Sequence, residues 1–122
     1  MAGTTDTIAQ LQEAQRPADQ GPRVSTRDEV IAVLRAEAAA IRKLGATALY
    51  LFGSAARDEM GPDSDVDVFI DYDLQSRFSL FDQIGLQEYL KAQLQREVDL
   101  TTRGGLHPLL RGRIVRSSIR VI

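Results

Sequence analysis

The chain has 122 residues, contains no cysteine and carries a formal net charge of −2 from 15 basic and 17 acidic residues. This length predicts one domain, and the absence of cysteine excludes disulfides, thiol catalysis and thiolate zinc sites. The near balance of charges gives no overall attraction to nucleic acid, so direct nucleic-acid binding is not expected. The apolar runs are too short for a membrane span and nothing resembles a signal peptide, so we expect a cytoplasmic protein without a membrane partner.

The first two dozen residues differ in composition from the rest of the chain. They are polar, and Pro17, Gly21 and Pro22 stand near their end. A polar segment that ends in helix-breaking residues has little apolar surface to bury. We therefore predict a flexible tail over residues 1–24 and a single folded domain over residues 25–122.

Helical spacing of apolar residues begins soon after residue 25, and Gly45 is a natural stop. The apolar positions of this predicted helix are Val30, Ile31, Leu34, Ala38, Ile41 and Leu44. Two residue pairs fit an N-terminal capping box, Ser25 with Asp28 and Thr26 with Glu29, because in each pair a hydroxyl precedes an acid by three positions.

Strands and two further helices are predicted downstream of Gly45. The predicted strands occupy residues 48–52, 66–72 and 98–101, with a short edge strand at 119–122. A long amphipathic helix is predicted over residues 78–96, and another begins at His107-Pro108 and continues to about Ser117. The candidate core residues of the long helix are Leu80, Phe81, Ile84, Tyr89, Leu90 and Leu94. These elements predict an α/β (α+β) fold in which a small mixed sheet of three to four strands packs with helices.

The most informative feature of the sequence lies between the first two predicted strands. The first strand ends at Gly53-Ser54, which opens a short helical stretch, and the second contains Asp65-Val66-Asp67. Residues two apart on a strand point to one face, so Asp65 and Asp67 are expected to lie side by side. The start of a helix offers free N–H groups to phosphate oxygens, and paired carboxylates bind hard cations such as Mg²⁺. Together these groups are suited to a metal–nucleotide complex.

This pattern resembles the nucleotidyltransferase superfamily of DNA polymerase beta, whose signature is Gly-Ser followed by Asp-x-Asp at the spacing found in this chain. The segments Gly53–Arg57 and Ser64–Val68 are similar to those of minimal nucleotidyltransferases. Such proteins are often the antitoxin half of HEPN/minimal-nucleotidyltransferase toxin–antitoxin pairs. The resemblance covers about residues 27–122 and implies a nucleotidyltransferase fold there. One departure is Asp58, where many relatives carry glycine; aspartate tolerates a positive φ better than most residues.

The resemblance also implies which residues are catalytic. The family's catalytic acids match Asp65, Asp67 and, in the third predicted strand, Asp99. These three acids are expected to bind two Mg²⁺ ions, with ATP as the substrate.

Three residues of the Gly-Ser segment are expected to bind the nucleotide. Gly53 lets the backbone approach a phosphate closely. Ser54 is expected to cap the short helix and to offer its hydroxyl to a terminal phosphate. Arg57, three residues later, is expected to reach the triphosphate.

Each of these residues also has an interpretation without function. Asp65 could belong to a polar turn after Gly61-Pro62, Asp99 could face solvent on an edge strand, and Arg57 could be a surface arginine. Asp71 and Asp73 continue the alternation of acids toward the end of the second strand, where they are expected to face water.

The C-terminal quarter is basic although the chain as a whole is acidic. Such runs are usually solvated faces, but here they could also bind an acidic partner or a nucleotide. The residues concerned are Arg103, Arg111, Arg113, Arg116 and Arg120.

The resulting hypothesis is transfer of AMP from ATP to a hydroxyl, with release of pyrophosphate and with Asp99 assisting deprotonation of the acceptor. Larger superfamily members carry an acceptor-binding domain that this chain lacks, so we expect a second protein to present the acceptor. The resemblance implies a tyrosine hydroxyl of a HEPN ribonuclease toxin, which the transfer would neutralise. Two alternatives stay open: a non-catalytic antitoxin that acts by binding alone, and a small-molecule nucleotidyltransferase of the aminoglycoside type.

Overall fold

The computed structural model describes residues 23–122. Within them, one sheet is formed by β1 (Ala46–Phe52), β2 (Val66–Tyr72), β3 (Val98–Thr102) and β4 (Ile119–Arg120). The strand order is β3-β2-β1-β4. β1 is antiparallel to both of its neighbours, whereas β2 and β3 are parallel. The sheet is therefore mixed, as predicted, and the predicted tail up to residue 22 lies outside the described residues.

The helices are α1 (Arg27–Ala36), α2 (Ala38–Lys43), α3 (Gly53–Ala56), α4 (Leu80–Leu94) and α5 (Arg111–Ser117), with a 3₁₀ helix at Arg103–Gly105. The turn before α5 begins at His107, whose carbonyl accepts the N–H of Arg111 at 2.9 Å. Over residues 23–122, none of these helices has the length and apolarity needed to cross a membrane.

The two faces of the sheet differ in character because side chains alternate along each strand. On one face, Val68, Ile70 and Leu49 are fully buried and belong to the same cluster as Leu34 of α1 and Leu90 of α4. The alternate positions of β2 carry Asp67, Phe69 and Asp71 on the opposite face. The hydrophobic core thus lies on one side, and the polar residues of interest lie on the other.

The single helix predicted up to Gly45 is two helices, separated at Glu37. The backbone of Glu37 has φ −97° and ψ 12°, and its carboxylate accepts a hydrogen bond from the Tyr89 hydroxyl of α4. The apolar spacing continues across the break, so periodicity alone did not reveal it. Of the two predicted capping pairs, Thr26 is the N-cap of α1 and accepts the N–H of Glu29 at 3.2 Å.

The exposed surface of α4 differs from the prediction. Leu90 and Leu94 are buried as predicted, but Leu80, Phe81 and Ile84 are 68%, 85% and 48% exposed. The prediction is wrong for these three residues, because the first half of α4 contacts the sheet through polar side chains.

Two glutamines of α4 explain this orientation. The Gln83 side chain donates to the carbonyl of Leu100 at 3.3 Å, and the Gln87 side-chain oxygen accepts the Leu100 N–H at 3.1 Å. Leu100 lies in β3, an edge strand of the sheet, whose outward backbone groups would otherwise lack partners. An apolar pattern cannot reveal a helix that packs against a strand edge through amides.

Candidate active site

β1 runs directly into α3 at Gly53, which has φ 70°. A side chain is rarely tolerated in this conformation. A β-carbon at Gly53 would also collide with Oδ2 of Asp67. Phe52, the residue before, pairs with Asp67 in the β1–β2 ladder. Gly53 therefore lets the first turn of α3 lie directly against the Asp67 carboxylate.

Asp67 and Asp99 are neighbours across the parallel strands β2 and β3, where they are register partners. Register partners in a sheet project their side chains from the same face. Asp65 lies two residues before Asp67, immediately ahead of β2, and is exposed. The three acids named from the sequence thus lie at one end of the sheet.

The charges of these acids act on one another. The pKa of Asp67 is raised from 3.8 to about 6, first by burial and then by the charges of Asp99 and Asp65, while Arg57 acts in the opposite direction. Like charges held in a half-buried place favour either a bound proton or a bound cation. Asp67 is therefore the acid at which a cation would relieve the most repulsion.

A preformed metal cage is not present in the described part of the chain. Among residues 23–122, no group of three or more acidic or histidine side chains converges closely enough to hold a metal ion by itself. Mg²⁺ is usually bound by one or two carboxylates, with substrate phosphates and waters as its other ligands. The hard oxygen ligands of Asp67 and Asp99, beside the turn at Gly53, fit a Mg²⁺ ion that arrives with a nucleotide.

Ser54 is the second residue of α3 and not its cap. The N-cap is Phe52, and no side chain makes a capping hydrogen bond. The predicted capping role is wrong because the helix begins at Gly53, one residue before the serine. No residue in 23–122 forms a hydrogen bond to the Ser54 hydroxyl, which is therefore available to a ligand.

Arg57 ends α3 and is exposed. Its Nε lies 3.0 Å from a carboxylate oxygen of Glu59, and its side chain is 61% exposed. Since its charge lowers the pKa of Asp67, Arg57 acts on the acid group electrostatically. Its predicted contact with a triphosphate stays a prediction.

Asp58, the departure from the family pattern, has φ 58°. Its Oδ1 accepts the backbone N–H of Arg27, the first residue of α1, at 2.8 Å. An unpaired N–H at a helix start is thereby satisfied from a distant loop. The aspartate therefore has a structural task that glycine could not perform.

Asp71 does not face water as expected. Arg103 binds its two carboxylate oxygens at 2.8 and 3.0 Å, and this hydrogen bonding lowers the pKa of Asp71. The Arg103 guanidinium also lies 5.0 Å from the ring centre of Tyr50 and 5.2 Å from that of Phe69. The expectation was wrong because Arg103 folds back over the sheet face from the 3₁₀ helix after β3. Asp73 is exposed, as expected.

The polar turn proposed as an alternative for Asp65 exists but ends before that residue. The Ser64 N–H donates to the Gly61 carbonyl at 3.3 Å, and the Gly61 N–H donates to the Ser64 hydroxyl at 2.8 Å. Asp65 follows this turn and leads into β2. The sequence interpretation missed Arg96, which is buried beneath the turn. The signal in the sequence was a single basic residue two positions ahead of β3.

Comparison with known proteins identifies one sequence family. The family described as nucleotidyltransferase domain matches residues 34–121. A protein of Methanocaldococcus jannaschii assigned as a protein adenylyltransferase is 35% identical over 80 residues, which are 66% of this chain and 84% of that protein. Protein adenylyltransferase MntA of Thermococcus cleftensis is 33% identical over 97 residues, which are 79% of this chain and 96% of the relative.

Solved structures share the fold. A structure assigned as a minimal nucleotidyltransferase has a TM-score of 0.60 and 32% identity, covering 73% of this chain and 93% of its own. The complex of tri-AMPylated Shewanella oneidensis HEPN toxin with MNT antitoxin gives a TM-score of 0.55 at 17% identity, covering 75% of this chain and 71% of the other. The second likeness shows the fold alone. The predicted α/β fold with a mixed sheet is confirmed.

Proposed function

The chain belongs to the nucleotidyltransferase domain family, and from this membership we propose that it transfers AMP from ATP to a hydroxyl group of a HEPN-type toxin and thereby neutralises the toxin. It is an enzyme of the nucleotidyltransferase type. The relatives named as protein adenylyltransferases support a protein acceptor. The antitoxin solved with a tri-AMPylated HEPN toxin supports the class of that acceptor.

One observation carries the proposal: the Asp67 carboxylate fills the space beside Gly53, and Asp99 is its register partner. The first N–H groups of a helix have no partner within the helix. Donors for phosphate oxygens therefore lie beside carboxylates that can bind a cation. Transfer of a nucleotidyl group depends mainly on such positioning and on neutralisation of charge.

The residues then have separate tasks. The N–H groups at the start of α3 and the Ser54 hydroxyl bind the outer phosphates of ATP, and Arg57 offsets their charge. Asp65, Asp67 and Asp99 are the residues that would hold two Mg²⁺ ions, which supply charge neutralisation at the attacking and leaving oxygens. The acceptor oxygen bonds to the α-phosphorus as the bond to pyrophosphate breaks, and its proton passes to Asp99.

We propose a tyrosine hydroxyl as the acceptor. Asp99 is exposed and lies in β3, an edge strand of the sheet. A side chain presented by a second protein has access to the exposed Asp99 carboxylate. This access supports an acceptor that belongs to a bound protein.

The test is to incubate the chain with ATP, Mg²⁺ and a HEPN-type toxin, and to measure the intact mass of both proteins. We expect the toxin to gain AMP on tyrosine, as located by peptide fragmentation, and no gain in chelator. The double variant Asp65→Asn, Asp67→Asn should bind the toxin but neither modify nor neutralise it. The matched control Asp28→Asn, Asp73→Asn removes two exposed acids outside the site and should behave as the parent does. Full neutralisation by the first double variant would show that binding alone is sufficient.

A further inference from the structure

Arg96 is a buried cation between the end of α4 and the start of β3. The residue is 8% exposed, and it is the only charged residue that is buried among residues 23–122. None of the ion pairs in this part of the chain includes it. Burying a guanidinium without a carboxylate partner costs free energy. Hydrogen bonds to other groups must therefore replace those that the guanidinium made with water.

Those hydrogen bonds go to backbone carbonyl groups of two separate segments. Nε donates to the carbonyl of Val24 at 2.7 Å. Nη1 lies 2.8 Å from the Gly61 carbonyl oxygen, 3.1 Å from that of Ser64 and 3.3 Å from that of Pro62. Three carbonyl groups of one turn thus converge on a single nitrogen.

The turn at residues 61–64 is the segment that delivers Asp65 to the site. Arg96 itself begins the segment that delivers Asp99 three residues later. The two segments are also joined by the Val66 N–H, which donates to the Glu97 carbonyl at 2.9 Å. One side chain therefore fixes the approach to β2 and the approach to β3 relative to each other.

The local sequence directs Arg96 into this position. The residue after α4 is its C-cap, Gln95, which adopts a left-handed conformation with φ 55°. The chain therefore reverses immediately before Arg96, and the side chain enters beneath the turn. The planar guanidinium donates in several fixed directions at once, which a lysine ammonium on a flexible stem does not reproduce.

We propose that Arg96 is a positioning residue for metal binding: by holding the 61–64 turn against the start of β3, it keeps Asp65 at the same end of the sheet as Asp67 and Asp99, where the three acids can take part in binding a divalent cation together with a nucleotide. The proposal rests on the proposed function, because it assumes that these acids bind a metal with a nucleotide. Residues that orient metal ligands commonly change metal affinity by about 10- to 100-fold when they are replaced.

The test compares Arg96→Lys with Arg35→Lys. Arg35 also donates from Nε to a carbonyl of a distant segment, that of Val121 at 3.3 Å, but it joins α1 to the C-terminus, away from the acids. Binding of Mn²⁺ in the presence of a non-hydrolysable ATP analogue is measured by the electron paramagnetic resonance of free Mn²⁺. The melting temperature is measured in chelator.

We expect Arg96→Lys to raise the dissociation constant of Mn²⁺ by about tenfold or more, with partial recovery of AMP transfer at high Mn²⁺. Arg35→Lys, which changes one hydrogen bond of an exposed side chain, should lower the melting temperature less and leave the Mn²⁺ dissociation constant unchanged. A folded Arg96→Lys chain with the parent's Mn²⁺ affinity would overturn the proposal and leave Arg96 a purely structural residue.

A second variant keeps the test decisive if Arg96→Lys does not fold. Ser64→Ala removes the hydroxyl that closes the turn but leaves the three carbonyl groups to Arg96, so Mn²⁺ affinity should stay near that of the parent. A loss of about tenfold in this variant would show that turn closure, not Arg96, positions Asp65. No acceptor protein is needed for these measurements. Normal Mn²⁺ binding without toxin modification would therefore overturn only the proposed acceptor, whereas a parent chain that binds no Mn²⁺ would overturn both proposals.

Discussion

Asp67 Oδ2 lies so close to Gly53 that a β-carbon on that residue would collide with it. Two neighbouring strands of the sheet thereby bring the start of α3 and a carboxylate to one point, and the contact depends on the absence of a side chain. Glycine is needed at position 53 for a second reason, because any other residue would be strained at a φ of 70°.

Gly53→Ala is therefore expected to displace Asp67 and to abolish AMP transfer. The positive φ and the collision together should lower the free energy of unfolding by about 1–3 kcal/mol. Urea denaturation and intact mass after incubation with ATP and the toxin measure the two effects. The control is Gly85→Ala in α4, where a β-carbon meets no atom within 4 Å. This control should raise stability by about 0.5–1 kcal/mol, because alanine favours the helix. Parent-like activity of Gly53→Ala would contradict the close approach of phosphate to this turn.

The pH dependence of the free energy of unfolding should reveal that ionised Asp67 is unfavourable in the fold. Its pKa rises from 3.8 in the unfolded chain to about 6 in the fold, so the folded protein binds this proton more tightly. The contribution of protonated Asp67 to the free energy of unfolding is complete below pH 3.8 and is lost as the pH rises through about 6. Asn stays neutral at every pH. Without metal, Asp67→Asn should therefore be more stable than the parent at neutral pH, and this advantage should shrink below the folded pKa.

The advantage at neutral pH should be on the order of 1 kcal/mol, since Asp67 is partly exposed and solvent screens its charge. Urea denaturation in chelator at two pH values, above and below the folded pKa, measures it. Addition of Mg²⁺ and ATP should favour the parent instead, because ionised Asp67 then gains a counter-charge. A large loss of stability in Asp67→Asn at both pH values would mean that the carboxylate is a structural hydrogen-bonding group.

Ser54 and Ser79 form a pair of serines with opposite expected roles. Ser54 makes no capping bond, whereas Ser79 is the N-cap of α4 in a capping box with Asp82. Ser54→Ala should weaken ATP binding by roughly 1.5–3 kcal/mol, the value of a hydrogen bond to a charged group, with little change in stability. Ser79→Ala should lower stability by about 1 kcal/mol and leave ATP binding unchanged. Calorimetry and urea denaturation separate the two, and unaltered ATP binding in Ser54→Ala would remove the serine from the site.

The strands and the acids of the site were predictable because their signals are local. β2 was predicted with its observed bounds, and Asp67 and Asp99 share a face because of strand periodicity and register. The turn at Gly53 and Ser54 was located by a short motif that the family resemblance made specific. Metal and nucleotide roles for these residues stay predictions.

The contacts that the sequence did not reveal join distant segments. The bonds of Arg27 to Asp58, of Arg103 to Asp71 and of Arg96 to Gly61 span 31, 32 and 35 residues. Their partners are backbone groups or single acids without a periodic pattern, so only the assembled fold brings them into view. The exposed side of α4 was missed for a related reason, because its contact with β3 is made by glutamine amides.

Asp58 combines two tasks, and a series of substitutions can separate them. Asp58→Ala loses the acceptor for the Arg27 N–H and strains the positive φ, so we expect a loss of about 1–3 kcal/mol in the free energy of unfolding. Asp58→Gly relieves the strain but still loses the acceptor, and its loss should be about 1 kcal/mol smaller. Asp58→Asn keeps an acceptor and tolerates the conformation, so it should be the mildest change. Urea denaturation gives the order, and an alanine variant as stable as the parent would contradict both tasks.

Removal of the divalent cation should abolish ATP binding. The triphosphate would lie beside Asp65, Asp67 and Asp99, and like charges in a half-buried place repel strongly unless a cation lies between them. We expect calorimetry to detect ATP binding with Mg²⁺ or Mn²⁺ and none in chelator. The double variant Asp65→Asn, Asp67→Asn provides the internal comparison. In chelator it should bind ATP better than the parent does, because two repulsive charges are gone, and Mg²⁺ should add little, because two ligands are gone. Equal ATP affinity of the parent with Mg²⁺ and in chelator would contradict a metal-dependent site.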